Sequence, residues 1–203
     1  VYKRQLQTPL AVCMNKLELL SEHPDCTEDQ LKEIAGLHQA LNGIIRLNKS
    51  LLLLSRIDNK QFPETRDICL NHLIHKILEG INDIYERKAL HLRVSEKESL
   101  VCTMNESLAT TLITNLIKNA YVHNYEKGDI GITISRRMLT IANTGIDKTL
   151  DKELLFARFA SQSKQQESTG LGLAIVKSIV DLYSIRIDYQ YANGMHTFTL
   201  LFY

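Results

Sequence analysis

The 203-residue sequence predicts an α+β fold, a helical hairpin followed by a two-layer α/β sandwich of one sheet with helices on one face. Three observations carry this. Two long stretches at the start place apolar residues at steps of three and four, the spacing of a helical stripe. From residue 66 onward, shorter helical stretches are interleaved with segments that alternate apolar and polar residues, the period of a half-buried strand. Between the two parts, NKQFPETRD breaks the helical pattern with Pro63 and a polar cluster, which predicts a boundary between a hairpin of residues 1–60 and a domain of residues 66–203.

In the first stretch Leu6, Leu10, Met14, Leu17 and Leu20 share a face that Pro9 interrupts. A proline inside a helix removes a hydrogen bond at a cost of about 3 kcal/mol. Pro9 therefore reads either as the first residue of a helix capped by Thr8 or as a bend in a longer one. SEHPDCTED forms a turn, and residues 28–59 carry Leu31, Ile34, Leu41, Ile45 and Leu52 at helical spacing. Two such helices have too little core to stand alone, so their exposed stripes predict a four-helix bundle with a second copy, a homodimer. In the second part, residues 70–87, 106–124 and 170–183 read as helices. ALHLRVSE, LVCTMN, residues 129–135 and residues 137–142 read as strands, and the sheet is expected to be mostly antiparallel. IRIDYQYANGMHTFTLLFY closes the chain with two strands about Asn193-Gly194, a pair suited to a tight turn.

Lys and Arg total 24 against 23 Asp and Glu, and no dense basic block occurs, which argues against a nucleic-acid partner. Cys13, Cys26, Cys69 and Cys102 are isolated, which fits reduced thiols in a cytoplasmic compartment better than a disulfide frame or a zinc site. No apolar run approaches the ~20 residues of a membrane span. The chain opens on Val1 rather than Met, so a piece of a longer protein is expected, with any membrane anchor outside it.

Three stretches carry chemistry. SLATTLITNLIKNAYVHN puts Asn115 and Asn119 one helical turn apart, and carboxamide oxygens suit a hard cation that also holds phosphate. Alone, such a pair is usually a solvated stripe. RRMLTIANTGI ends a strand in Asn143-Thr144-Gly145, where a polar side chain beside a glycine lets a planar ring approach the backbone. STGLGLAIVKSIV opens a helix with Gly170 and Gly172, freeing backbone N–H groups toward phosphate. No GKS or GKT follows, so this is not a P-loop.

In this order and spacing the three stretches resemble the ATP-binding domain of sensor histidine kinases, within the wider group of type II topoisomerases, a heat-shock chaperone and mismatch-repair ATPases. NLIKNAYVHN resembles the N box, IANTG the first glycine box, LLFARF the F box, GLGLAIV the second glycine box and GMHTFTL the last box. The resemblance covers residues 66–203. It implies that ATP and Mg²⁺ bind here, with Asn115 and Asn119 serving phosphates and metal and Asn119 as the metal ligand. Asn143 stands where the family usually has an aspartate that reads the adenine amino group. Gly145, Gly170 and Gly172, with Leu171, Leu173 and Thr197 in the same boxes, shape the pocket. Residues 146–169 form its lid, with Arg158 and Lys164 as phosphate contacts. Val122 replaces a common basic residue, whose phosphate contact would fall to His123.

The hairpin resembles the family's dimerisation and phosphotransfer domain, with Thr8, Pro9 and Leu10 matching a His-Glu-x-x-Thr-Pro-Leu motif in LQTPLAV. Arg4 occupies the histidine position and Gln5 the acidic one, and a guanidinium stays protonated and cannot attack phosphorus. The implied function is a sensor histidine kinase of a two-component system. It would pass the γ-phosphoryl group to a histidine and then to an aspartate of a response regulator receiver domain. The segment itself would be cytoplasmic, without membrane contact, in a protein anchored in the inner membrane. The alternative is an ATP-binding dimeric scaffold or phosphatase-type regulator without autophosphorylation, since Arg4 fills the acceptor position. Hydrolytic ATPases of the wider group place a water-activating glutamate where Asn115 stands, which disfavours that chemistry.

Overall fold

The computed structural model describes residues 2–159 and 170–203, with the side chains of residues 2–7 and of Asn82 outside the description. Helix α1 (Tyr2–Ser21) runs through Pro9, so Thr8 is not its cap and Pro9 not its first residue. The stripe explains why the helix tolerates the lost bond: Leu10, Met14 and Leu17 are half-buried along α1, which packs on α2. Helix α2 (Glu28–Asp58) starts in a capping box, in which the Thr27 hydroxyl accepts the Gln30 N–H and the Gln30 side chain accepts the Thr27 N–H. A second apolar set, Val12, Leu19, Leu20, Leu31, Leu37, Ile44 and Leu51, is exposed.

Helix α2 ends at Asp58, within the expected hairpin, yet its last turns pack on the second part of the chain. Leu54 and Ile57, 1% and 3% exposed, belong to the same hydrophobic core as the sheet and its helices. Phe62, in the connecting segment, lies under the Arg56 guanidinium, 4.6 Å from ring centroid to carbon. The last turns of the hairpin thus supply core to the second part of the chain.

That second part begins with β1 (Arg66–Cys69), a strand the periodicity did not reveal, paired antiparallel with β3 (Val101–Met104). The main sheet has five strands in the order β2-β4-β5-β7-β6. They are β2 (His91–Glu96), β4 (Asp129–Ser135), β5 (Met138–Thr144), β6 (Arg186–Ala192) and β7 (Met195–Leu201). Only β2 with β4 is parallel, the connection running through β3 and α4. Asn193 and Gly194 both take positive φ, 52° and 75°, as the tight turn between β6 and β7 requires.

Alternation sets the two faces of the sheet. Ile130, Ile132, Ile134, Leu139, Ile141, Asn143, His196, Phe198 and Leu200 are buried, and Gly131, Thr133, Thr140, Ala142, Thr197 and Thr199 form the half-exposed face between them. Helices α3 (Leu70–Tyr85), α4 (Glu106–Val122) and α6 (Gly172–Leu182) accompany the buried row. Helix α4 is the most enclosed: Leu108, Leu112, Ile113, Leu116, Ile117 and Ala120 are all at most 1% exposed. A four-residue helix, α5 (Lys152–Leu155), is too short to leave a periodic signal. The four cysteines are free, and burial pushes the Cys102 thiol up to about 11, which suppresses its thiolate.

Leu54→Ala should cost about 2–5 kcal/mol, the range for a fully buried leucine. Urea unfolding monitored on the sheet domain checks this, and a loss below about 1 kcal/mol would contradict the placement of α2 in the common core.

Candidate functional site

The half-buried residues Asn115 and Asn119 mark a sector of α4 that runs from the start of α6 to the end of β5, the candidate cleft. At one end Asn115 lies against Gly172, the first residue of α6: a β-carbon on Gly172 would sit 3.0 Å from Asn115 Oδ1. Asn115 Nδ2 donates to Thr111 O at 2.8 Å, so this carboxamide is held in place from within its own helix. One turn on, the Asn119 carboxamide makes no hydrogen bond among the described residues and is half-buried. Leu171, fully buried, precedes α6 without a side-chain cap, which leaves the N–H groups of the first turn open. Gly170 has φ 67°, a left-handed conformation that favours glycine, and its carbonyl accepts the Phe159 N–H at 3.0 Å. Leu173 is half-buried on the first turn of α6.

At the other end, β5 delivers Asn143, Thr144 and Gly145 to the C-terminus of α4. Asn143 is 2% exposed, and its Nδ2 donates to Thr144 O at 2.8 Å. The opposite orientation would set Oδ1 against that carbonyl, two acceptors face to face, so the amide is fixed with Oδ1 available as an acceptor. A β-carbon on Gly145 would lie 3.0 Å from His123 O and from His196 Cδ2, so any side chain here forces the two walls apart. His123 ends α4, its N–H bonded to Asn119 O. Desolvation holds its ring below the usual imidazole range, and the positive charge of Lys88 adds to this. Lys88 Nζ donates to the carbonyls of Tyr121, Val122 and Asn124 at 2.9, 2.9 and 3.0 Å, placing a cation at the negative end of the helix.

His196 was not foreseen. It is 5% exposed on β7, opposite Asn143 in register. Its Nε2–H donates to Ile146 O at 2.9 Å, since a carbonyl can only accept, and Nδ1 then takes the Tyr189 hydroxyl proton at 2.8 Å. Tyr189 Oη in turn accepts the Leu150 N–H at 3.2 Å. Thr197, the residue assigned to the site from the last box, lies on the opposite face of β7, paired with Ala142. Thr197 and His196 are neighbours on β7, and one step along a strand moves a side chain to the other face of the sheet. The strand alternation from Met195 to Leu201 carried the signal that selects His196.

The expected lid spans residues 146–169, of which 160–169 lie outside the described residues. Its first part is strapped to β6 and β7 by the Ile146–His196 and Leu150–Tyr189 bonds, the Asp147–Tyr191 pair and the Lys152–Asp188 ion pair at 3.3 Å. Arg158 donates to Asp58 on α2 at 2.9 Å, so its guanidinium is engaged by the hairpin rather than by the cleft. Lys164 lies outside the described residues. So do the side chains of Arg4 and Gln5, whose backbone belongs to α1, and Thr8 is exposed on that helix. The structure therefore brings together Asn115, Asn119, His123, Asn143, Gly145, Gly170, Leu171, Gly172 and Leu173, and does not bring Arg158 or Thr197 to them.

Residues 104–202 match the family of histidine kinase-, DNA gyrase B- and HSP90-like ATPases. The chain is 32% identical to the heme sensor protein HssS of Staphylococcus saprophyticus over 98% of its own length and 44% of that protein's. It is 27% identical to the sensor histidine kinase HprS of Escherichia coli over 97% and 44%. The chain is a homologue of the sensor histidine kinases. It superposes on full-length ShkA, whose crystal structure contains AMPPNP, with a TM-score of 0.74 at 16% identity, covering all of this chain and 45% of that one, a likeness of fold. This histidine kinase homologue thus spans less than half the length of the curated relatives it matches. Its ATPase-family segment contains every residue assembled at the cleft.

The ring of His123 should titrate below the ordinary 6.5, and Lys88→Met should raise its midpoint, both readable from its NMR signals against pH. Because the unfolded chain takes this proton first as pH falls, the stability His123 contributes is complete above about 6.5 and is lost as pH falls through the folded midpoint. A midpoint at or above 6.5 would contradict the desolvated placement.

Proposed function

We propose that this chain is the nucleotide-binding and dimerisation core of a two-component sensor histidine kinase, and that Mg·ATP lies along α4. The observation that supports this most strongly is the order of groups on that helix. From Asn115 beside Gly172 to His123 beside Gly145 is about 12 Å of helix axis at 1.5 Å per residue. The base reader Asn143 stands at one end of this row and the open N–H groups of α6 at the other. A nucleoside triphosphate fits in that direction, its adenine amino group donating to Asn143 Oδ1 and its phosphates facing α6, where N–H groups and dipole favour anions.

Asn119, between the two ends, fits Mg²⁺: it offers a neutral oxygen not spent on another bond, and Mg²⁺ is commonly held by one or two protein oxygens together with substrate phosphates and water. The bound ion would neutralise phosphate charge. The residues of the chain position the nucleotide, Asn143 and Gly145 at the base and Asn115 by holding α4 against Gly172, and phosphoryl transfer rests mainly on such positioning.

The exposed apolar set on α1 and α2 supports a homodimer through a four-helix bundle. A response regulator receiver domain is the proposed acceptor downstream, and the cytoplasmic side of a membrane-anchored protein the proposed setting. Arg4 supports a second reading, a nucleotide-binding dimer that does not label itself at this position. Its guanidinium has no lone pair with which to attack the γ-phosphorus, and Gln5 cannot take up a proton.

Incubation with radiolabelled ATP tests both readings. Arg4→His with Gln5→Glu should acquire an acid-labile, base-stable phosphoryl group, the parent none, and both should scatter light as dimers. A parent that labels as strongly as the double variant places the acceptor elsewhere. ATP binding by both proteins without labelling of either favours the scaffold, and a monomer at micromolar concentration rules out the bundle.

A further inference from the structure

We infer that Asn124 and Thr144 form a clamp that positions the base end of the nucleotide site without touching the nucleotide, an inference that rests on the ATP reading of the cleft. The two residues are 20 apart in sequence and come from the walls that carry His123 and Asn143. Thr144 Oγ1 donates to Asn124 Oδ1 at 2.7 Å and accepts the Asp129 N–H at 2.8 Å, while Asn124 Nδ2 donates to Asp129 O at 3.0 Å. Both side chains are thereby occupied within the protein, and Asn124 is only 6% exposed. Gly128 closes the joint from below, since a β-carbon there would overlap Asn124 Oδ1 and Thr144 Oγ1.

The consequence concerns Asn143. Its amide is oriented by the carbonyl of Thr144, the residue whose hydroxyl is clamped to Asn124, just beyond the end of α4. Rotation or withdrawal of Thr144 would release both the orientation of the Asn143 amide and the contact of Gly145 with His123. The opposite end of the cleft depends on other contacts, Asn115 with Gly172 and the buried face of α4. Loss of the clamp should therefore impair reading of the base selectively. With Oδ1 presented, the site accepts a proton from the adenine amino group, whereas the guanine carbonyl at the same ring position offers none. With the amide released, that preference fades.

The test is calorimetric titration of the parent, Thr144→Val, Thr144→Ser and Asn124→Ala with Mg·ATP and Mg·GTP, with thermal melts confirming that each protein is folded. Thr144→Val should weaken ATP about tenfold, the scale of one buried hydrogen bond, while GTP changes less, so the ATP-to-GTP preference narrows. Thr144→Ser, which keeps the hydroxyl, should restore the parent values. If Thr144→Val does not fold, Asn124→Ala breaks the same bond from its other end and should give the same narrowing. ATP affinity within twofold of the parent, or ATP and GTP weakened by one factor, overturns the clamp. A parent that binds neither nucleotide overturns the ATP reading and the clamp with it.

Discussion

The burial of α4 is the constraint on which the rest of the site depends. Leu112, Ile113, Leu116 and Ile117 leave no freedom in its rotation, because turning the helix would bring Asn115 or Asn119 into an apolar core and expose leucine or isoleucine in exchange. With the rotation fixed, the carboxamides must face the cleft. With the C-terminus of α4 tied to the end of β5, the distance along the helix from Gly172 to Gly145 is fixed as well. The glycines follow from the same geometry: at 145 and 172 a β-carbon would meet its neighbours at 3.0 Å, tighter than ordinary contact, so the neighbour would have to give way.

A second dependence joins the two parts of the chain. Because Leu54 and Ile57 are buried in the common core, α2 cannot change its angle to the nucleotide domain without exposing apolar surface, at about 25 cal/mol per Å². Arg158 adds a polar contact with Asp58 on the same helix, next to the segment that leads to residues 160–169. The end of α2 and the segment around Arg158 are therefore in direct contact, a physical route by which the hairpin could bias the second part of the chain. At half exposure, this ion pair is a weak restraint beside the buried side chains.

Much of this was legible from residue spacing. The long helices followed from steps of three and four and the final hairpin from Asn193-Gly194, while the site residues were named through the family resemblance of their boxes rather than through spacing alone. What escaped has physical reasons. β1 and α5 have four residues each, too few for a period to register. The end of α2 looked like hairpin because its periodicity continues unbroken into Leu54 and Ile57, and only the fold shows which core receives them. Thr197 was named from the last box without regard to strand parity, and β7 places it on the half-exposed face. Pro9 was legible as an interruption, but the burial that carries α1 through it depends on α2. Asn124, Thr144 and Lys88 left no local signal, since each acts on a residue at least 20 positions away.

The central claim, a nucleotide laid along α4 between β5 and α6, is most directly tested by amide NMR of the protein titrated with Mg·ATP. The account predicts that the backbone signals of Gly145, Gly170, Gly172 and Leu173 and the side-chain amide of Asn119 shift together and saturate with one dissociation constant, while those of Val12, Leu31 and Leu37 do not follow. Shifts confined to the hairpin, or a saturating response that leaves Gly172 and Asn119 unmoved, would contradict it.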